Sequence, residues 1–81
     1  MPFYVYLIKT VNSKINKSYV GYTNDLQNRL KKHNSNKGAK STKGHMWKLV
    51  YKKKFDKKVD AMSYEYNLKK DRKRRLSILK R

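Results

Sequence analysis

Tyr19-Val20-Gly21-Tyr22-Thr23-Asn24-Asp25 is the stretch whose reading settles the rest of the chain. A β-branched and aromatic run meets a glycine, and Thr23, Asn24 and Asp25 then offer the short side-chain oxygens that accept from free N–H groups at a helix start. A strand turns into a helix here, predicted over 25–33. On that helix Leu26 and Leu30 mark the buried stripe, while Arg29 and His33 stand four apart and share an adjacent face. A guanidinium, an imidazole and a strand-borne tyrosine are thereby drawn to one place.

Upstream, Phe3-Tyr4-Val5-Tyr6-Leu7-Ile8 reads as a strand, with Pro2 tolerated only at its beginning. Alternation sends Phe3, Val5 and Leu7 one way and Tyr4, Tyr6 and Ile8 the other. The polar segment 10–17 reads as a turn, so that the strand through Tyr19 returns antiparallel. That hairpin brings Tyr6 and Tyr19 near each other without fixing the register.

Downstream, 34–45 holds two glycines and no large apolar residue, a loop of the length that tends to be functional or disordered. In 47–55, Trp47, Leu49, Tyr51 and Phe55 are expected on one face of a third strand and lysines on the other, which suits a sheet edge. Asp56 or a neighbour is expected to cap a helix over 59–70, where Ala61, Met62, Glu65, Tyr66 and Leu68 recur at helical spacing. Asp71 caps a short last helix expected to dock its leucines, Leu76 and Leu79, together with Ile78.

Eighty-one residues are expected to make a single small domain, 1–81, with a modest core. Lysine and arginine number 23 against five acids, a net charge of +18 that selects polyanions. No apolar run approaches the roughly 20 residues needed to span a bilayer, so no membrane association is expected. The first residues lack a basic n-region and a small-residue cleavage site, which predicts a soluble, cytoplasmic protein. The absence of cysteine excludes disulfides and thiolate metal sites. Two histidines without cysteine give no zinc spacing, no Ser, His and Asp grouping is evident, and His45 is assigned no role.

Glu65 is the only glutamate in the chain. Beside apolar helix positions it reads either as a ligand for a hard divalent ion or as an exposed pair with Lys69, worth about 0.3–0.5 kcal/mol. The Arg29 fork suits two oxygens of one phosphate, or is solvated like Lys31 and Lys32. His33 can exchange a proton near neutral pH, or is an ordinary polar face residue. Among seven tyrosines, some can stack on bases or act as a base if cations lower their pKa. Tyr51, Tyr64 and Tyr66 read as packing residues. Lys37, Lys40, Lys43, Lys69 and Lys70 are the expected nucleic-acid contacts, with Lys52, Lys53, Lys54 and the basic run 69–75 adding sequence-blind phosphate contacts.

The order of these signals is specific. Tyr4-Val5-Tyr6, then Tyr19-Val20-Gly21 a hairpin later, then Arg29, His33 and a helical Glu65 resembles the GIY-YIG endonuclease domain. The stretch 19–44, with its Asn-Asp-Leu, Arg-Leu, His-Asn and Gly-Ala-Lys segments, is similar to the small stand-alone bacterial group of that superfamily, the UPF0213 or YhbQ-like proteins. Tyr4 and Val5 replace the glycine and isoleucine of the first motif, and Val20 the isoleucine of the second, while Tyr6, Tyr19 and Gly21 stay in place. The resemblance implies an α+β fold, an α/β sandwich in which a three-stranded antiparallel sheet is flanked by about three helices. It implies phosphodiester hydrolysis with one divalent metal, Mg²⁺ or alternatively Mn²⁺. Carried over residue by residue, Tyr6, Tyr19, Arg29, His33 and Glu65 are the catalytic positions and Glu65 the metal ligand. Gly21 and Asn67 would support them from behind. Tyr6 would take the proton of an attacking water, helped by surrounding cations that lower its pKa. Many members draw sequence specificity from an appended DNA-binding domain. With no second module expected here, single-stranded, branched or damaged DNA is the expected substrate, RNA an alternative, and the protein a monomer with a protein partner allowed. The competing reading is a non-catalytic basic nucleic-acid-binding module.

Overall fold

The computed structural model describes residues 2–11, 16–35 and 44–80. Strands β1 (Phe3–Val11), β2 (Ser18–Thr23) and β3 (Met46–Phe55) form one antiparallel sheet in the order β2-β1-β3. Helix α1 (Leu26–Asn34) follows β2, and α2 (Lys58–Lys70) and α3 (Arg72–Leu79) follow β3. This is the expected α+β sandwich, with the lysine-rich third strand at an edge.

Both faces of β1 are covered, which is why its centre is a continuous apolar run. Val5, Tyr6, Leu7 and Ile8 are each no more than 1 % exposed. Val5 and Leu7 join Val20, Ala61, Leu68 and Ile78 in the core under α2 and α3. Tyr6 and Ile8 join Trp47 in a second core, packed by Leu26, Leu30, Tyr19 and Leu49 on the α1 side.

The expected single apolar face of β3 is corrected by its register. Leu7 pairs with Tyr51 but Ile8 with Leu49, so Val50 is an extra residue and the ladder shifts there. The bulge sends Trp47 and Leu49 into the α1 core while Tyr51 and Phe55 pack against the α2–α3 core. Two smaller expectations also change. The cap of α2 is Lys57 in extended backbone, with no side-chain bond, and Asp60 supplies the acidic charge of the first turn. In α3, Ile78 is buried and Leu79 packs against the core, but Leu76 is 43 % exposed.

The predicted caps at the other two helices form. Asp25 accepts from the Asn28 amide at 3.1 Å, and Asp71 accepts from the Arg74 amide at 3.0 Å. Asp71 also closes α2, its amide donating to the Asn67 carbonyl at 3.0 Å, so a single residue ends one helix and starts the next. The far end of α1 is fixed by Asn34, which accepts from the Trp47 amide at 2.6 Å and donates to the Trp47 carbonyl at 3.2 Å.

Candidate active site

The hairpin register decides which groups meet. Tyr6 lies opposite Gly21, and Tyr19 opposite Ile8. Directly paired residues share a face, so the Tyr6 ring lies over the glycine. A Cβ on Gly21 would stand 2.5 Å from the Tyr6 hydroxyl oxygen and 2.7 Å from Cζ. Glycine is needed here for close approach, not for an unusual backbone angle.

Helix α1 crosses this face and places His33 behind the tyrosine. Tyr6 Oη and His33 Nε2 are 2.8 Å apart, and His33 is fully buried. Tyr19 completes a trio of rings, 6.4 Å from Tyr6 and 5.1 Å from His33 between centroids. Burial pushes the Tyr6 phenol well above the ordinary tyrosine value; Tyr19 and Glu65 add to the rise and the Arg29 guanidinium opposes it. Burial also lowers the His33 pKa, with Arg29 acting in the same direction. With a protonated phenol beside a neutral imidazole, the tautomer sets the sense of the bond: with the imidazole proton on Nδ1, Tyr6 O–H donates and His33 Nε2 accepts. The expectation that surrounding cations depress the Tyr6 pKa is therefore reversed, because desolvation exceeds the single opposing charge.

Tyr6 and Tyr19 open, with Arg29 and Glu65, onto one cleft of about 330 Å³. Four groups from β1, β2, α1 and α2 thus converge. Glu65 arrives because α2 packs across β1 and β2. Its Oε1 lies 3.0 Å from Lys69 Nζ, so both readings of this carboxylate coexist: it faces the cleft and is paired one turn along its helix.

Asn24 and Lys58 also line the cleft, and the sequence reading does not single them out as site residues. Lys58 stands seven positions before Glu65, two turns on the same helix face, and that spacing is the signal for it. Asn24 is visible in the sequence only as a cap residue. Asn67 lies elsewhere, lining a separate hollow with Ser63 and Tyr64. Lys70 lies over the Tyr66 ring, 4.3 Å from its centroid. Lys37, Lys40 and Lys43 fall outside the described residues.

A three-stranded sheet with paired tyrosines over a glycine, and an arginine and a glutamate brought in by flanking helices, defines a GIY-YIG type of catalytic domain. The model of that family, the GIY-YIG catalytic domain, matches residues 2–77, and the chain belongs to this family. Its curated relatives carry the name UPF0213. The chain is 42 % identical over 81 residues to UPF0213 protein YsiG of Lactococcus lactis, covering 96 % of this chain and 75 % of that protein. It is 42 % identical over 67 residues to the UPF0213 protein OB0043 of Oceanobacillus iheyensis, covering 82 % and 74 %. A solved relative, the solution structure of the UPF0213 protein BH0048 from Bacillus halodurans, aligns with a TM-score of 0.58 at 38 % identity, over 99 % of this chain and 84 % of that one. Family membership suggests nuclease activity.

The donor set bears on the metal. Among the described residues no group of three or more His, Cys, Asp and Glu is placed to cage an ion. Glu65 is the one carboxylate lining the cleft among the described residues. That fits Mg²⁺, which keeps several waters and takes one or two carboxylates plus phosphate oxygens. No helix among the described residues is long and apolar enough to cross a membrane.

Proposed function

We propose that the protein is a divalent-metal-dependent DNA endonuclease that hydrolyses phosphodiester bonds in the Glu65 cleft, selecting single-stranded, branched or damaged DNA by structure. The observation that carries this reading is the convergence of Tyr6, Tyr19, Arg29 and Glu65 on one opening. Glu65 would hold the metal, Mg²⁺ or Mn²⁺, which when bound polarises the phosphate and offsets charge on the leaving oxygen. The Arg29 fork would bind the non-bridging oxygens and stabilise the charge that grows on them during displacement. Lys58, across the same opening, would add a second positive contact.

The proton path follows from the buried pair. Tyr6 is protonated, and with the His33 proton on Nδ1 it accepts a proton from an attacking water only as its own proton passes to His33 Nε2. Tyr6 is then the relay and His33 the reservoir behind it. Tyr19, tilted against both rings, would orient the water. Gly21 holds open the space in which the phenol sits.

One observation favours the rival, a basic module that binds without cutting: the Glu65 carboxylate already has Lys69 as a partner. Incubating the purified protein with labelled single-stranded, duplex and branched DNA, with Mg²⁺, Mn²⁺ or chelator, separates the two. The endonuclease reading expects metal-dependent cleavage that falls by about 10²-fold or more in Glu65→Ala and Arg29→Ala with the fold intact. Salt-sensitive binding without cleavage under either ion would leave the binding module standing.

A further inference from the structure

A second hollow lies apart from this cleft, between α3 and the end of the β1–β2 hairpin at which the chain passes from one strand to the other. It measures about 610 Å³. Lys9 and Lys17 stand on its hairpin side, Arg72, Arg75, Leu76 and Leu79 on its helix side, and no carboxylate among the described residues lines it. Arg75 Nε is buried there with no hydrogen-bond partner. A buried donor is normally satisfied, and an oxygen-rich anion beside this guanidinium would satisfy it. Four cations around one hollow repel one another unless an anion joins them.

The position of the hollow suggests which anion. Ser18, the first residue of β2, lines it, and Tyr19, Gly21 and Tyr22 of the same strand line the Glu65 cleft. From Ser18 to Gly21 a strand advances about 10 Å. That is about three base steps measured on the axis of B-form DNA, and about half as many phosphates along the more extended backbone of a single strand. The leucines offer an apolar wall of the kind a sugar presses against, which a bare hydrated ion does not use.

We propose that this hollow is a second phosphate site, in which Arg72, Arg75, Lys9 and Lys17 hold a backbone phosphate of the same strand about one to two nucleotides from the bond seated at Glu65 and Arg29. The assignment rests on the reading of the protein as one that acts on nucleic acid. Two phosphate sites at different points along β2 fix the direction in which a strand runs past it. Phosphate contacts position a strand without reading its bases, which agrees with substrate choice by structure.

The test measures binding, so that its outcome is independent of cleavage. Labelled single strands of increasing length are titrated, without divalent ion, into full-length protein carrying Glu65→Ala, and anisotropy is followed across a range of salt. Affinity is expected to step up once a strand spans both sites. Arg72→Gln with Arg75→Gln should remove that step, weaken the longer strands by about tenfold and reduce the salt slope by about 0.7 for each phosphate no longer neutralised. Lys9→Gln with Lys17→Gln should reproduce the pattern from the hairpin side, which covers the case of an α3 variant that does not fold. Lys31→Gln with Lys32→Gln removes the same charge from α1 and should give a smaller loss at every length. The proposal is overturned if both hollow variants match the α1 variant throughout, or if inorganic phosphate alone competes for the hollow as well as a strand does. Failure of the catalytic reading would show elsewhere, as a wild-type protein that cuts nothing with any metal.

Discussion

Gly21 is the residue on which the tyrosine depends. Alanine there must displace the Tyr6 ring, since a Cβ at 2.5 Å from its oxygen cannot be accommodated by a few tenths of an ångström. Gly21→Ala is expected to cost about 1–3 kcal/mol in urea unfolding and to break the Tyr6–His33 bond. His33 carries a second expectation at this scale. Its folded pKa lies below the ordinary histidine value, so below about pH 6.5 the unfolded chain binds the proton first. Stability should therefore fall as pH drops through that point, by at most about 1.4 kcal/mol per unit from this residue. Paired unfolding curves of the parent and His33→Gln at neutral and mildly acid pH check it, the variant showing the flatter dependence. Tyr6 has the opposite sign: its folded pKa is raised, so its share of stability is lost above about pH 10, where the unfolded phenol ionises.

At the level of elements, α1 carries Arg29 and His33 and is secured at both ends, by Asp25 at its start and by Asn34 at its finish. Asn34→Ala removes two bonds to Trp47 and should cost about 1–3 kcal/mol. If the helix serves as a positioning device, cleavage should fall further than the loss of folded protein explains, and activity per folded molecule is the measurement. The helices and strands themselves are legible in the sequence because their signals are local: alternation in 3–8, the Thr23, Asn24 and Asp25 cluster, Asp71 before α3. What is not legible depends on pairing between segments distant in sequence. That Tyr6 lies opposite Gly21, and that Val50 breaks the alternation of β3, are facts of register, which side-chain periodicity alone does not determine. The same holds for the site. Tyr6, Tyr19, Arg29 and Glu65 can be named from their order, but Lys58 and Asn24 join them only in space, and Asn67 falls outside because it turns toward Ser63 and Tyr64.

For the whole molecule, charge dominates. A surplus of +18 on 81 residues destabilises the compact state by self-repulsion, and added salt screens it. The melting temperature is expected to rise with ionic strength, by about 4–8 °C for each kcal/mol recovered, while nucleic-acid affinity falls over the same range. Opposite salt responses of stability and binding, read by calorimetry and anisotropy on one preparation, would show both as results of the same field. The extra residue in β3 has a consequence of its own at this scale. It lets a single edge strand contribute to the hydrophobic interior above the sheet with its first half and to the one below with its second. Deleting Val50 would leave Leu49 opposite Ile8 and Tyr51 opposite Leu7 in a regular ladder, so every other side chain keeps its face and only the packing of Val50 against the core is lost. Such a deletion should leave the protein folded, with a loss in urea unfolding close to that of replacing the same residue by alanine.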